Sequence, residues 1–251
     1  MKKTLIAGNW KMYKTPSESI DFVEKLIKNL KNYEDRDILI CPPFTSLYPV
    51  SQIIKNSSVK LGAQNVYFEN EGAFTGEISP IMLKDIGVEY VICGHSERRN
   101  IFGETDEIIN KKVKKVTENG MRPILCVGEK LEEREKAQTF EVVENQIRNC
   151  LSNFKDIEKL VIAYEPVWAI GTGKTALPQQ AEEAHVFIRE LIGKMYNNEI
   201  AENLIILYGG SVKPENIDQL MKEKDIDGVL VGGACLKIDS FLRIIDFFKD
   251  Y

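Results

Sequence analysis

The segment RPILCVGEKLEEREKAQTFEVVENQIRNCLSNFKDIEKLVIAYEP, residues 122–166, decides the fold of this chain. It begins with an apolar run, continues through a helical pattern over residues 132–151, and ends with a second apolar run. Both runs are continuously apolar, which is expected when strands are covered on both faces, as in a parallel sheet. The segment therefore predicts two parallel strands joined by a helix.

The same alternation extends over the rest of the chain. Helical patterns occupy residues 16–31, 105–119, 132–151, 178–196, 214–221 and 239–249. The apolar runs are TLIAGNW, DILICPP, VKLGAQN, YVICGH, RPILCVGE, LVIAYEP, LIILYGG and GVLVGG. Eight such runs without a linker predict one (β/α)8 barrel domain of eight parallel strands over residues 1–251. The alternative is an open doubly wound sheet, which usually carries G-x-G-x-x-G after its first strand, where this chain has GNWK.

Composition restricts the class of protein. The 251 residues are 43% hydrophobic and 28% charged with a net charge of −5, which predicts a soluble globular protein without a broad nucleic-acid surface. The five cysteines are scattered and lack C-x-x-C spacing, so we expect reduced thiols in a cytoplasmic protein. No apolar run approaches the ~18 residues of a membrane helix, and a secretory apolar segment is missing, so no membrane partner is expected.

Polar residues follow the apolar runs at the strand ends, where barrels of this type place their catalytic groups. They are Asn9, Lys11, Asn65, His95, Glu129, Glu165, the turn GGS at 209–211 and the turn GG at 232–233. The set contains a cation, an imidazole, carboxylates and two glycine turns. It predicts acid/base chemistry beside a site for an anion.

Each of these residues also has a structural interpretation. Glu165 is either a general base or an exposed glutamate at the start of a loop. His95 precedes SERR, a predicted helix start whose dipole favours a neutral ring, but a lone histidine is usually structural. Lys11 either stabilises negative charge or is a solvated lysine. His185 lies within a helical pattern and is interpreted as structural.

The stretch GTGKT, residues 171–175, looks like part of a nucleotide-binding loop. The motif G-x-x-x-x-G-K-[ST] needs its first glycine at the position of Trp168, which disfavours that interpretation. The sequence also lacks a pattern of metal ligands and a G-x-S-x-G nucleophile motif, so no metal is expected.

Together the motifs resemble the triosephosphate isomerase family over nearly the whole chain. The shared strings, in the family's order, are GNWKM, GAQN, GAFTGEIS, CGHSERR, RPILCVGE, AYEPVWAIGTGKTA, YGGSV and DGVLVGGA. The resemblance implies a TIM barrel and an isomerase of glycolysis and gluconeogenesis. It would interconvert dihydroxyacetone phosphate and D-glyceraldehyde 3-phosphate through an enediolate, with no cofactor.

The resemblance also implies residue roles. Glu165 would move the proton and His95 would act as electrophile, while Lys11 and Asn9 stabilise charge and Glu97 holds Lys11 and His95 in place. The substrate-binding residues would be Asn9, Lys11 and the phosphate-binding backbone of Gly171, Ser211, Gly232 and Gly233.

A lid is a further implication of the resemblance, with closure pressing Ile170 and Leu230 around Glu165 and with Tyr208 and Ser211 latching the closed form. Its residues would be Pro166, Val167, Trp168, Ala169, Ile170, Gly171, Thr172, Gly173, Lys174, Thr175 and Ala176. GTGKT would then contact the phosphate of the substrate rather than that of a nucleotide.

The loop NEGAFTGE, residues 70–77, carries an apolar Phe74, and in the family it docks into a second subunit with Thr75 close to the partner's site. A homodimer is therefore expected. The chain departs from the family at Tyr13, at Cys235 and in REKAQT, where REAGQT is usual.

Two other classes of function stay open at this point. A Schiff-base aldolase needs a buried lysine at the centre of a strand, and Lys11, near the end of the first strand, is taken as the only lysine in the strand runs. A catalytically idle barrel that serves as a binding module is the other.

Overall fold

The computed structural model describes residues 2–169 and 176–248 and shows a closed barrel of eight parallel strands in chain order. The strands are β1 (Thr4–Asn9), β2 (Arg36–Cys41), β3 (Val59–Ala63), β4 (Tyr90–Cys93), β5 (Arg122–Val127), β6 (Val161–Tyr164), β7 (Ile205–Tyr208) and β8 (Gly228–Val231). Closure is direct, because β1 pairs with β2 on one side and with β8 on the other. The predicted (β/α)8 barrel is confirmed.

Helices surround the barrel. They are α1 (Pro16–Asn29), α2 (Phe44–Ile54), α3 (Pro80–Asp85), α4 (Ser96–Asn100), α5 (Asp106–Glu118), α6 (Leu131–Glu135), α7 (Thr139–Cys150), α8 (Pro178–Met195), α9 (Asn198–Asn203), α10 (Ile217–Lys222) and α11 (Ile238–Ile245). Short 3-10 turns lie at Ile157–Lys159, Val167–Ala169 and Gly233–Leu236. In the part of the chain that the structure describes, no helix is both long enough and apolar enough to cross a bilayer.

The two faces of each strand bury their side chains in different places. On β1, Leu5 and Ala7 belong to a cluster with Leu39 and Leu230 that fills the barrel, while Ile6 belongs to the larger layer between strands and helices. Successive strand residues point to opposite faces, so apolar residues are needed at every position. This double burial explains the continuous apolar runs.

One predicted helix is two helices in the structure. The pattern over residues 132–151 breaks between α6 and α7 at Ala137, whose φ of 56° lies in the left-handed region. The amide of Ala137 donates to the carbonyl of Arg134, and the amide of Gln138 donates to the carbonyl of Glu133. These bonds close α6 and turn the chain before α7 begins, although neither proline nor glycine marks the break.

Helix α2 is not among the predicted helices, and it contains Pro49. A proline inside a helix removes one backbone hydrogen bond and normally ends the helix. Here Leu47, Val50 and Ile54 are buried on one face of α2, and this packing maintains the helix. Helix α10 also differs from its prediction, since it begins at Ile217 rather than at residue 214.

Candidate active site

The carboxyl ends of the strands surround a cavity of about 480 Å³. Its lining brings together the predicted residues Asn9, Lys11, His95, Glu165, Ser211, Gly232 and Gly233. Two other strand-end residues do not line it. Asn65 accepts a hydrogen bond from the ammonium of Lys112 at 2.7 Å, and Glu129 is fully buried elsewhere. They belong to the surrounding structure rather than to the cavity.

Glu165 follows β6, and its side chain is only 2% exposed. Its Oε1 lies 2.9 Å from Nε2 of His95, and its Oε2 accepts the amide hydrogen of Ser96 at 2.9 Å. Burial raises the pKa of this carboxyl, but His95, the Ser96 amide and Lys11 outweigh burial, and the pKa is lowered overall. Glu165 is therefore held as a carboxylate that can accept a proton once a ligand displaces one of these donors.

His95 is the residue before α4, and its ring is oriented from both sides. Nδ1 accepts the amide hydrogen of Glu97 at 3.3 Å, so the proton of the neutral ring lies on Nε2, the atom facing Glu165. Burial lowers the pKa of His95, but the Glu165 carboxylate raises it further, and the net shift is upward.

The raised pKa of His95 differs from the expectation that a helix start keeps the ring neutral. Helix α4 has only five residues, so its dipole is short, whereas a full carboxylate lies in contact with the ring. The neutral ring carries its proton on Nε2, and that proton is held more tightly than a helix dipole alone would allow.

Lys11 reaches the cavity from the loop after β1. Its ammonium lies 2.6 Å from Oε1 of Glu97, and the second carboxylate oxygen of Glu97 is 3.5 Å from Nδ1 of His95. Glu97 thus contacts both residues, as the resemblance implied. The backbone of Lys11 has a φ of 52°, a left-handed conformation that costs a residue with a side chain about 1–2 kcal/mol.

The glycine turns have two different functions in the structure. At Gly209 an added Cβ would lie 2.9 Å from Cγ of Glu165, so the absent side chain makes room for that carboxylate. At Gly210 it would lie 2.3 Å from the hydroxyl oxygen of Tyr208. All four glycines border the cavity, and at Gly232 and Gly233 an added Cβ would meet no close neighbour, since the aliphatic part of Lys11 passes Gly232 at 3.4 Å.

Comparison with known proteins agrees with this geometry. The family model described as Triosephosphate isomerase matches residues 4–248. The triosephosphate isomerase of Carboxydothermus hydrogenoformans is 58% identical over 98% of both chains. That of Dictyoglomus thermophilum is 53% identical over 98% of this chain and 99% of its own, and that of Fusobacterium nucleatum is 54% identical over 98% of both.

The chain belongs to the triosephosphate isomerase family. The predicted membership, which rested on motifs in the family's order, is thereby confirmed.

The resemblance implies that residues 166–168 are the leading hinge of the lid, and Trp168 in this hinge is anchored on Glu129. Trp168 donates its indole hydrogen to Oε1 of Glu129 at 2.9 Å, and the hydroxyl of Tyr164 donates to the same carboxylate. Arg134 forms an ion pair with Glu129 at 3.1 Å and lies 4.6 Å from the centre of the Trp168 ring. Glu129 is predicted only as a strand-end carboxylate, and no signal in the sequence indicates that Glu129, Trp168 and Arg134 meet.

The rest of the lid lies outside the described residues. These are Ile170, Gly171, Thr172, Gly173, Lys174 and Thr175, so the implied phosphate contact of Gly171 and the latch with Tyr208 and Ser211 fall there too. Of the described lid residues, Val167 and Ala169 form a 3-10 turn with Trp168, and Ala176 is buried.

The loop around Thr75 protrudes as expected. Phe74 is 41% exposed, with its ring centre 4.6 Å from that of Tyr67. Other large apolar side chains are also exposed, among them Met12, Tyr13, Tyr48, Met82, Ile101 and Phe102.

The three departures from the family have distinct structural settings. Tyr13 lines the cavity, and Ala137 takes the left-handed position where the usual REAGQT string has glycine. Cys235 is fully buried, and burial raises the pKa of its thiol to about 12. Little thiolate exists at neutral pH, so Cys235 should react slowly with oxidants.

The statement that the strand runs contain no lysine except Lys11 is wrong, because Lys60 lies within β3. Lys60 forms ion pairs with Asp37 at 3.1 Å and with Glu89 at 3.7 Å. Burial lowers the pKa of Lys60, but Tyr90 and the two carboxylates raise it overall. A Schiff-base lysine needs a lowered pKa, so Lys60 does not support the aldolase alternative.

Proposed function

We propose that this enzyme interconverts dihydroxyacetone phosphate and D-glyceraldehyde 3-phosphate with Glu165 as the base that moves the proton. The interconversion is the reaction of the family to which the chain belongs. The observation that carries the residue assignment is the 2.9 Å contact between Glu165 and His95 at the cavity. It joins a carboxylate and a hydrogen-bond donor at a place that a small substrate can reach.

The proposed reaction begins when substrate enters and replaces a present partner of Glu165. The carboxylate removes a proton from C1 of dihydroxyacetone phosphate, and the C2 carbonyl oxygen gains negative charge as the enediolate forms. Nε2 of His95 donates to the substrate oxygens, and the ammonium of Lys11 and the amide of Asn9 offset the developing charge. The protonated Glu165 then returns a proton to C2, while the hydroxyl on C1 gives up its proton and the oxygen on C2 gains one, with Nε2 of His95 in position to relay it, which gives D-glyceraldehyde 3-phosphate.

Asn9 is oriented for this role by its contact with Lys11. Its Oδ1 accepts the amide hydrogen of Lys11 at 3.0 Å, which leaves the Nδ2 hydrogens for the cavity. Glu97 holds the Lys11 ammonium at 2.6 Å and donates its amide hydrogen to His95. Glu97 is therefore proposed to fix both charge-stabilising groups without taking the proton itself.

The phosphate is proposed to bind on the backbone amides of Ser211, Gly232 and Gly233, with Gly171 completing the site from the lid. This proposal is supported by the position of all three described residues on the cavity and by the absence of Cβ atoms at 232 and 233. Backbone amides are suitable donors for phosphate oxygens. Lys213 and Lys237 also line the cavity and add positive potential.

The lid, from Pro166 to Ala176, is proposed to close over bound substrate and exclude water. Leu230 lines the cavity and would contact Ile170 on closure around Glu165. A drier site strengthens the attraction between the enediolate and its donors, and it limits loss of phosphate from that intermediate. The anchor of Trp168 on Glu129 would be rearranged or broken as the hinge turns.

We further propose that the enzyme acts as a cytoplasmic homodimer, with each chain forming a single domain. The exposed Phe74 and the loop that carries Thr75 support an interface that docks near the partner's Asn9 and Lys11. Sedimentation across a range of concentrations should give a dimer. A folded, fully active monomer at low concentration would contradict the dimer proposal.

The residue assignment is tested with a coupled assay of D-glyceraldehyde 3-phosphate isomerisation by the parent and by Glu165→Gln. The variant keeps the size of the side chain but cannot accept a proton, so kcat should fall by about 10²–10⁴-fold. Glu107→Gln is the matched control, since Glu107 lies on α5 with its side chain 79% exposed, and it should keep full activity. A folded Glu165→Gln enzyme with parental kcat would refute the assignment.

A further inference from the structure

The active-site cavity is larger than the proposed substrate needs. Its volume of about 480 Å³ lies in the range of about 300–1,000 Å³ that is typical of sites for drug-sized ligands. A triose phosphate is much smaller than such a ligand. The rest of the cavity wall, beyond the groups that bind substrate in the proposed reaction, is therefore available to a longer molecule.

This remaining wall comes from the loops that follow β7 and β8, which are neighbouring strands of the barrel. Lys213 follows Ser211 in the first loop, and Lys237 follows the 3-10 turn Gly233–Leu236 in the second. Ser240, in the first turn of α11, lines the same cavity. These three side chains come later in their loops than the amides proposed to bind the phosphate, so they form an outer rim beyond those amides.

The two lysines of the rim carry positive charge that the described part of the chain does not neutralise. No carboxylate among the described residues forms an ion pair with either ammonium. Glu215 and Asp239, the acidic residues next to them along the chain, are exposed and do not line the cavity. In a chain with a net charge of −5, two unpaired cations on one cavity are a local excess that favours an anion.

We propose that Lys213, Lys237 and Ser240 form a second anion subsite beside the amides of Gly232 and Gly233, so that the cavity binds bisphosphorylated compounds as competitive inhibitors. One phosphate group occupies the amides, and the other binds the two ammonium groups and the Ser240 hydroxyl. The inference rests on the proposed function for the place of the first phosphate. A molecule that spans both subsites occupies the space that the substrate needs, and so it prevents turnover.

The chemistry of the rim suits a phosphate group. An ammonium is a compact charge with three N–H donors on a flexible stem, so it can follow a phosphate without a fixed geometry. Charge-assisted hydrogen bonds are stronger than neutral ones, and at this partly exposed rim they should tighten binding by about 10-fold. Because exposed charges are screened by salt, the gain should be largest at low ionic strength.

The test compares ligands that differ only in the second phosphate. They are butanediol monophosphate and the butanediol bisphosphate with a phosphate at each end, and the corresponding hexanediol pair for a longer span. Calorimetry in a phosphate-free buffer of low ionic strength measures the Kd of each. In at least one pair the bisphosphate should bind the parent enzyme about 10-fold more tightly than the monophosphate. All four ligands should compete with D-glyceraldehyde 3-phosphate in the coupled assay.

The variant that removes the rim charges combines Lys213→Met with Lys237→Met, which keeps the length and the apolar stem of both side chains. The affinity ratio between bisphosphate and monophosphate should then approach one, and this ratio cancels any effect on the first phosphate. Ser240→Ala should lower the ratio by about 3-fold, since it removes one hydrogen bond. The matched control combines Lys28→Met with Lys155→Met, which removes the same charge at exposed lysines that do not line the cavity, and should keep the parental ratio.

The outcomes separate this inference from the proposed function. A ratio near one in the parent for both pairs would overturn the second subsite, as would equal ratios in the rim variant and its control. Monophosphates that bind and compete with substrate alongside either result leave the proposed phosphate site intact. If the monophosphates do not compete, the proposed phosphate site on Gly232 and Gly233 fails first, and the second subsite fails with it.

Discussion

The two ends of the barrel each contain a histidine beside buried charges, yet the hydrogen bonding differs. At the opposite end from the cavity, all five N–H groups of Arg189 have acceptors: Asp225 through side chain and carbonyl, Asp227, and the carbonyls of Ala201 and Leu204. At the cavity, the Lys11 ammonium has one such acceptor among the described residues, Glu97. A cation whose N–H groups all have protein acceptors can only stabilise the fold, whereas a cation with N–H groups to spare can still bind a ligand.

The histidines follow the same division. His185 is fully buried in α8, and burial lowers its pKa to about 4, while its Nδ1 donates to the carbonyl of Asp225 at 3.2 Å. His95 instead faces a carboxylate that raises its pKa. The first ring stays neutral and structural near pH 7, and the second can exchange a proton or a hydrogen bond with substrate.

The largest effect that would sharpen this comparison comes from His95→Asn. Asparagine can still accept the Glu97 amide hydrogen at the helix start, but it cannot place a donor at the position of Nε2. The loss of one donor to the developing charge should reduce kcat by about 10²–10³-fold. Urea unfolding should show little change in stability. A large loss of stability with normal kcat would show instead that His95 is the structural histidine.

Arg189→Met probes the opposite end. It should lower the free energy of unfolding by about 3 kcal/mol, because it leaves Asp225 and Asp227 without their main partner. The folded variant should keep its kcat, as measured at a temperature where it is fully native. Arg148→Met, at an exposed pair with Glu144, is the control and should cost less than about 1 kcal/mol.

His185 makes stability depend on pH. Its pKa of about 4 in the folded chain lies below the unfolded value near 6.5, so protons favour the unfolded state. The contribution of neutral His185 to the free energy of unfolding is fully present above about pH 6.5 and is lost as the pH falls towards 4. The loss between pH 7 and pH 5 should be about 2 kcal/mol. Urea unfolding at fixed protein concentration measures this slope, which His185→Gln should reduce. An identical slope in that variant would assign the acid sensitivity to other groups.

The smallest effect concerns Ala137, where Ala137→Gly removes left-handed strain between α6 and α7. The free energy gained by removing this strain is larger than the entropic cost of ordering glycine from the unfolded chain. The free energy of unfolding should therefore rise by about 0.5–1 kcal/mol. The melting temperature checks this at unchanged kcat. A drop in kcat would show that the strain supports the neighbouring Arg134 and the hinge.

Much of this architecture was predictable because local pattern and global fold agree. Continuous apolar runs gave the strands, and polar residues directly after them gave Asn9, His95 and Glu165, since parallel strands bring those ends together. What the pattern could not supply depends on contacts between distant segments. The break at Ala137, helix α2 around Pro49, and the meeting of Glu129 with Trp168 are set by tertiary packing rather than by neighbouring residues.

The setting of Lys11 was also only partly predictable from the sequence. Its position after β1 was readable from GNWK, but its left-handed backbone and its bond to Gln64, 53 residues away, were not. The pKa direction of His95 is another such case. It follows from a carboxylate 70 residues along the chain that the barrel brings within 2.9 Å.

The central claim, that Glu165 transfers a proton between substrate carbons, is tested most directly by turnover in D₂O. A proton on a carboxyl group can exchange with solvent before it returns to carbon, so the product should carry deuterium at C2 in a substantial share of turnovers. Mass spectrometry of D-glyceraldehyde 3-phosphate, trapped as it forms, measures this label. Rapid isomerisation with no deuterium on carbon would indicate direct hydrogen transfer between the carbons and would contradict the account.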